Sequence, residues 1–94
     1  MNIGIFFTNS ESLVKYFKHD TFVDRTIVTK YFVKNCGTLK TINGDIYRYI
    51  LGKSPTHGVR LDKAYVSKDV SEDFLHGVIY PCFCKEAEII MFDE

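Results

Sequence analysis

The residues with the most recognisable chemistry are Gly52-Lys53-Ser54, which have the order found at the end of a phosphate-binding loop. Such a loop holds phosphate with backbone amides, and a helix begins directly after its lysine. The first glycine of the pattern is missing, because Tyr47 stands at its position. Pro55 also comes where the helix should start. We therefore expect no phosphate loop and no bound cofactor here.

The end of the chain resembles the acidic strand that holds magnesium in ATPases, because an apolar run leads into Asp93-Glu94. Carboxylates of that kind need a phosphate loop opposite them, and the sequence offers none. We therefore expect an apolar strand followed by a solvated acidic terminus, without a metal.

Thiols and imidazoles suggest a second kind of metal site, since His57, His76, Cys82 and Cys84 are ligands that zinc prefers. Only one residue separates the two cysteines, whereas structural zinc sites use two to four. His57 also lies in a different segment. We expect these cysteines to pack as small apolar residues, and we assign no metal.

Cys36 beside Gly37 is the one candidate nucleophile, and His19, Asp20 and His76 are bases or acids that could approach it in the fold. No local signature of a cysteine hydrolase surrounds it. A small Cys/His hydrolase therefore stays open as an alternative, but we assign no catalytic residue.

The elements that would position these residues alternate between strands and helices. Apolar periodicity and turn residues predict a strand over 3–8, a helix ending near 19–20, a strand over 25–34, a hairpin over 38–50, a strand over 59–67, a helix between 69 and 81, and a strand over 88–92. This order predicts an α/β or α+β fold, with one mixed sheet of about five to six strands, a β-hairpin and two covering helices. We expect parallel pairing where a helix intervenes.

Local signals set the ends of these elements. Thr8 with Glu11 fits a capping box for the first helix, whose apolar face would be Leu13, Val14 and Phe17. Asn43-Gly44 predicts a two-residue hairpin turn. Asp69 or Ser71 would cap the second helix, and its buried stripe would comprise Phe74, Leu75, Val78 and Ile79.

Size and charge limit the function classes. Ninety-four residues, of which 46% are apolar, form one domain over 1–94. Twelve basic and twelve acidic residues cancel, so we do not expect nucleic acid as a partner. The first residues are too short an apolar run for a signal peptide or membrane span, and three cysteines suit a reducing compartment. We expect a cytoplasmic protein with free thiols.

Three short runs carry a resemblance to a known family: residues 41–46, which contain the Asn-Gly turn, residues 58–66, and residues 70–74 leading to 78–81. Together they resemble the ATPase core of phage large terminases and related helicases. Where that family has an acidic pair, this chain has Ser67-Lys68-Asp69, and the phosphate loop has no counterpart. The resemblance implies an inactive relative and a phage origin, and a phage-encoded protein of this kind would lie in the host cytoplasm.

Tyrosines supply the candidate binding surface, because a tyrosine offers contact area and a hydroxyl at small entropic cost. Tyr47 and Tyr49 would point to one face of the hairpin, as a contact surface or as one face of an ordinary sheet, with Arg48 opposite. The hairpin over 38–50 and the loop over 52–58 are the candidate contact elements. The candidate protein-contact residues are Tyr47, Arg48, Tyr49, Lys53, His57 and Arg60.

The leading hypothesis is a small non-catalytic phage- or mobile-element-type protein that binds and inhibits or modulates a host protein, such as a defence or replication enzyme. Homodimerisation through an exposed strand edge is equally permitted. The first alternative is a degenerate ATPase-like accessory protein that binds a nucleotide or nucleic acid through Lys53, Arg60 and Asp62.

Overall fold

The computed structural model describes residues 1–33, 36–51, 60–79 and 83–94, and of residues 78 and 83–87 it describes the backbone only. Strands and helices follow one another in the predicted order. Their bounds are β1 (Asn2–Phe7), α1 (Ser10–Lys18), β2 (Ile27–Val33), β3 (Cys36–Thr41), β4 (Ile46–Leu51), β5 (Leu61–Ser67), α2 (Glu72–Phe74), a π-helical segment (Leu75–Ile79) and β6 (Phe83–Phe92).

The strands form one mixed six-stranded sheet in the order β2-β3-β4-β1-β5-β6. β1 pairs in parallel with β4 and β5, and β5 pairs in parallel with β6, whereas β2, β3 and β4 are antiparallel neighbours. The predicted fold class is confirmed. Parallel pairing across a helix holds for β5 and β6, but β1 and β2 flank α1 without pairing, because β3 and β4 lie between them.

β1 is a central strand that is buried on both faces. Ile5, Phe6 and Phe7 expose none of their surface. Since successive side chains of a strand point to opposite faces, Ile5 and Phe7 belong to a core cluster with Leu13 and Phe17 of α1, whereas Phe6 belongs to a second cluster. The helices therefore cover opposite faces of the sheet, and we call the two faces the α1 face and the α2 face.

The first helix begins one residue later than the capping box predicts. Asn9 is the N-cap, and its Oδ1 accepts hydrogen bonds from the amides of Glu11 (2.8 Å) and Ser12 (3.3 Å). The predicted capping box of Thr8 and Glu11 is therefore wrong, because a short amide side chain at residue 9 already satisfies the free amides of the first turn. Thr8 instead donates hydrogen bonds to the Glu94 carboxylate.

The buried stripe of α1 is narrower than predicted. Leu13 and Phe17 are buried, as expected, but Val14 is 42% exposed. The helix ends at Lys18 with His19 as its C-cap, which agrees with the predicted end. Val14 is therefore an apolar side chain of α1 that is partly exposed to solvent.

The predicted hairpin is confirmed as β3 and β4, but its turn has three residues rather than two. The amide of Thr41 donates to the carbonyl oxygen of Asp45 (3.0 Å), and the amide of Gly44 donates to that of Thr41 (3.0 Å). Gly44 has φ +91°, whereas Asn43 does not have a positive φ. Since a two-residue turn of the expected kind needs positive φ at both positions, the chain forms a wider turn in which glycine alone is left-handed.

The second helical segment is short. Ser71 is its N-cap, and its Oγ accepts from the amide of Phe74 (3.2 Å). Ile79 is fully buried, as predicted, but Phe74 and Leu75 are only half-buried, and Val78 is described by its backbone only. Within the described residues, neither helix has the length and apolarity that a membrane crossing requires.

The loop between α1 and β2 completes the α1 face. Phe22 has φ +74°, an uncommon conformation for a bulky residue, and its ring stacks on Tyr65 with the centroids 4.2 Å apart. The ring of Phe92 also contacts Phe22, at 5.1 Å. The aromatic contacts offset the unfavourable backbone and hold the loop on the sheet.

Candidate functional site

Polar groups converge at the carboxyl ends of the parallel strands β1 and β5, the edge at which α/β proteins usually bind ligands. The Glu94 carboxylate accepts hydrogen bonds from the amides of Thr8 (3.1 Å) and Asn9 (3.0 Å). It also accepts from the hydroxyls of Thr8 (2.5 Å) and Ser67 (2.7 Å). The chain's own carboxylate thus fills the place before α1 where a phosphate would lie in a nucleotide-binding protein.

The environment of Glu94 favours its ionised form. Partial burial by itself would raise the pKa of the carboxyl group, but the hydrogen bonds from Thr8, Ser67 and the two amides outweigh burial and lower the pKa below its ordinary value. The expectation of a solvated acidic terminus is therefore wrong for Glu94. Asp93 does match the expected solvated carboxylate, because its side chain is 82% exposed. It lies 3.5 Å from the Lys68 ammonium.

Tyr47 and Tyr49 lie in the core rather than on a contact surface. Their exposed fractions are 5% and 0%, and both belong to the cluster beneath α1. The Tyr49 hydroxyl donates to the carbonyl oxygen of Thr21, and burial raises the pKa of this hydroxyl well above its ordinary value. The two side chains do share one face of β4, but α1 and the loop that follows it cover that face.

The other predicted contact residues do not form one surface in the described structure. Arg48 is half-buried, and its Nη1 donates to Asn2 Oδ1 at 3.2 Å. Arg60 is exposed, directly before β5. Lys53 and His57 lie outside the described residues. Since β4 is an interior strand, the second half of the hairpin offers no free edge.

The candidate metal ligands and the candidate nucleophile lie only partly within the described residues. No group of three or more His, Cys, Asp or Glu residues able to hold a metal occurs in that part of the chain. Cys36 is a free, half-buried cysteine that packs against the α2-face cluster. Cys82 and the side chain of Cys84 fall outside the description.

Among the described residues, the longest run of exposed positions with large apolar side chains lies instead on β2, which the sequence predicted as a strand without indicating its place in the sheet. Residues 28–33 are all exposed. The exposed fractions of the large apolar side chains are 61% for Val28, 50% for Tyr31, 43% for Phe32 and 57% for Val33. Among the described residues, β2 has a neighbour on one side only, β3, so its other edge is free.

Charge does not protect this edge. Native edge strands commonly carry lysine that points outward and discourages pairing with another chain. Lys30 is the only charged residue of β2, and its ammonium lies 4.7 Å from the centre of the Phe17 ring and 2.5 Å from Asp20 Oδ1. The charge is thus turned onto the α1 face and neutralised there.

The hydrogen-bond pattern shows which residues of β2 direct their backbone groups outward. Thr41 donates to Asp45 on the β4 side, and Ile42 donates to the Thr26 carbonyl on the β2 side. Because successive residues of an antiparallel strand alternate between neighbours, Thr38 faces β2 and pairs with Tyr31. Lys30 and Phe32 therefore direct their amides and carbonyls away from the sheet.

A groove runs along the same edge, between α1 and β2. It is open to solvent, has a volume of about 590 Å³, and is lined by residues of α1 and its C-cap and by Phe32 of β2. Its apolar lining consists of Leu13, Val14 and Phe32, and its charged or titratable lining includes Lys15, Lys18 and His19, with Glu11 as the one acid. We call this feature, together with the free edge of β2, the β2 groove.

Comparisons of the chain with protein-family models, with curated proteins and with solved structures found no match. The resemblance to phage terminases and helicases therefore rests on the short motifs within residues 41–81 alone. What the structure itself defines is a small α/β domain, with one mixed six-stranded sheet and an exposed apolar edge strand.

Proposed function

We propose that this chain is a non-catalytic binding protein that takes an extended segment of a protein partner as a further strand beside β2. The observation that carries the proposal is the unbroken exposure of residues 28–33 on an edge strand whose lysine is turned inward. Strand addition supplies affinity through main-chain hydrogen bonds, for which Lys30 and Phe32 provide the donors and acceptors.

A host protein is the proposed partner, with the chain encoded by a phage or mobile element, as the resemblance to phage terminases implies. Occupying a segment that the partner needs for its own contacts would inhibit it by occlusion. Such a mechanism requires neither a nucleophile nor a cofactor. It moves the contact surface from the hairpin over 38–50 to the strand that precedes it.

The position of Glu94 bears on the nucleotide-binding alternative. A phosphate in front of α1 would have to displace a carboxylate that accepts four hydrogen bonds. Binding of ATP would also place two anions together unless a cation came with it. Thermal unfolding with ATP and magnesium tests this alternative, because a ligand at about 100 times its dissociation constant adds roughly 2.7 kcal/mol.

Recovery of partners from the natural host with immobilised protein tests the proposal when two substitutions at one position are compared. Phe32→Pro removes an outward amide, which an edge strand tolerates, and so blocks the added strand. Phe32→Ala is the matched control, because it removes the same ring and keeps the amide. We expect a stoichiometric partner with wild type, weaker recovery with Phe32→Ala because its ring lines the groove, and none with Phe32→Pro.

Equal recovery by wild type and Phe32→Pro would contradict strand addition at β2. Each variant is first checked for cooperative thermal unfolding, so that a folding defect is recognised. Ile42→Ser at the hairpin turn, where the side chain is 71% exposed, measures the contribution of the originally predicted contact element. We expect that variant to bind as wild type does.

A further inference from the structure

We infer that the β2 groove is built for an acidic segment, in which glutamates alternate with apolar residues. This inference rests on the proposed function and adds the chemistry of the partner. A strand added beside β2 would lie about 4.8 Å from it and place alternate side chains on the α1 face and the α2 face. The two faces of β2 differ in chemistry. This difference determines which side chains the added strand must have on each of its faces.

The α1 face of the groove is basic. Lys15, Lys18 and His19 are exposed along its rim, and in the described part of the chain neither lysine is in an ion pair. The helix dipole explains why lysines occur in the last turn of α1. It does not explain why the apolar side chains of Val14 and Phe32 are exposed in the same groove. Glutamate fits this combination, because its aliphatic stem covers apolar surface while its carboxylate reaches the rim.

The surrounding charges leave the rim positive. Lys30 is paired with Asp20, so this pair adds no net charge to the groove. Glu11 lies one helical turn before Lys15 and near the opposite end of α1 from Lys18. Two lysines against one glutamate leave the groove lining positive, most clearly beside Lys18, although the whole chain is neutral.

The α2 face of β2 is apolar. Tyr31 and Val33 alternate with Lys30 and Phe32, so their side chains lie on the face opposite α1. They are 50% and 57% exposed. Cross-strand neighbours on such a face pack best when they are β-branched or aromatic. An added strand with carboxylates towards α1 and valine, isoleucine or tyrosine on the other side would complement both faces.

A segment of a different protein fits this surface better than the β6 edge of a second copy of the chain. The opposite edge strand, β6, carries Glu86 and Glu88, and its pairing with β2 of another copy would be head-to-tail. Repeated head-to-tail pairing without closure produces fibres rather than a defined complex. We therefore assign the groove to a partner's acidic strand, with self-association as an outcome of the test.

The test is selection of displayed random peptides of about ten residues, the length of a long strand, on wild-type protein. We expect the enriched peptides to alternate acidic and apolar residues. Their binding should weaken about tenfold on Lys15→Glu with Lys18→Glu, since reversed charges oppose the carboxylates. It should also weaken as salt rises from about 50 to 500 mM. Lys40→Glu is the control, because this exposed lysine lies on the α2 face and should leave binding unchanged.

The outcomes separate the inference from the proposed function. Enriched peptides that fail to bind Phe32→Pro but carry no acidic pattern, or that ignore the lysine reversals, would overturn the acidic partner and leave strand addition in place. Peptides that bind Phe32→Pro as well as they bind wild type, or the absence of any enrichment, would overturn both. Sedimentation of wild-type protein as a polymer that Lys18→Glu dissociates would assign the groove to a second copy instead.

Discussion

The Phe17 ring lies directly over Gly37, so close that a Cβ at residue 37 would come within 2.5 Å of the ring carbon Cδ1. This contact fixes the height of α1 above β3. It also sets the position of Phe17 beside Phe32, whose ring centroid is 5.6 Å away, and beneath the Lys30 ammonium. Because glycine has no side chain, residue 37 allows the Phe17 ring to lie against β3, and this placement shapes the β2 groove.

Gly37→Ala should destabilise the protein by about 1–3 kcal/mol, because an added methyl group must push a buried ring out of its place. Urea unfolding measures the change. Gly77→Ala is the matched control, since nothing lies within 4 Å of the Cβ that it would add. We expect this control to be neutral or slightly stabilising, and a loss equal to that of Gly37→Ala would contradict the packing explanation.

Tyr49→Phe should cost about 1–2 kcal/mol of the free energy of unfolding, because it removes the buried hydroxyl that donates to the carbonyl oxygen of the half-buried Thr21. Tyr31→Phe removes the hydroxyl of a half-exposed ring on β2 and should stay within about 0.5 kcal/mol of wild type. Chemical denaturation compares the two. Equal effects would mean that the Tyr49 hydroxyl is not a structural hydrogen-bond donor.

Glu94 should make stability depend on pH in the acid range. Its pKa is lowered in the folded protein, so the stabilisation is complete above the pKa of the unfolded chain and is lost as pH falls through the lower folded value. At neutral pH, Glu94→Gln should cost about 1 kcal/mol, at the low end for charged hydrogen bonds because solvent screens a half-exposed carboxylate.

The difference in unfolding free energy between wild type and Glu94→Gln should therefore shrink as the pH falls below about 4.5, the ordinary pKa of this group. Asp93→Asn provides the comparison, since that side chain is mostly exposed and its pair with Lys68 lies at 3.5 Å. A difference that stays constant from neutral to acid pH would show that the Glu94 charge contributes nothing.

Chirality at residue 44 offers a direct test of the three-residue turn. Gly44→Ala should destabilise by about 1 kcal/mol, because an L-residue at φ +91° is strained although there is open space around it. Chemical synthesis with D-alanine at this position should instead be neutral or stabilising, because the D-residue prefers positive φ and restricts the unfolded chain. Equal stability of the two diastereomers would exclude the left-handed glycine.

Local chemistry in the sequence was sufficient for most of the fold. The alternation of strands and helices, the hairpin around Asn43-Gly44 and the cap at Ser71 depend on neighbouring residues, so they could be predicted without knowing distant contacts. The capping of α1 was wrong by one residue because Thr8 and Asn9 are both good caps, and the choice between them depends on Glu94 at the far end of the chain.

The binding surface could not be predicted in the same way. A period of two placed Tyr47 and Tyr49 on one face correctly, but it does not say which face a helix covers. Conversely, Tyr31 and Phe32 were recognised as strand residues, but their exposure follows from the position of β2 at the edge. That position is decided by β1, which pairs with β4 and β5 and leaves β2 on the outside.

The place of β1 at the centre of the sheet has a consequence for how the protein is made. β1 is synthesised before the other five strands, but the register partners of Ile3 are Tyr47 and Lys63, far later in the chain. Until β5 has been synthesised, the run Ile5-Phe6-Phe7 has no completed sheet to enter. During biosynthesis the apolar β1 segment therefore stays unpaired until the later strands have been made, and folding should be slower than for a helical bundle of equal size.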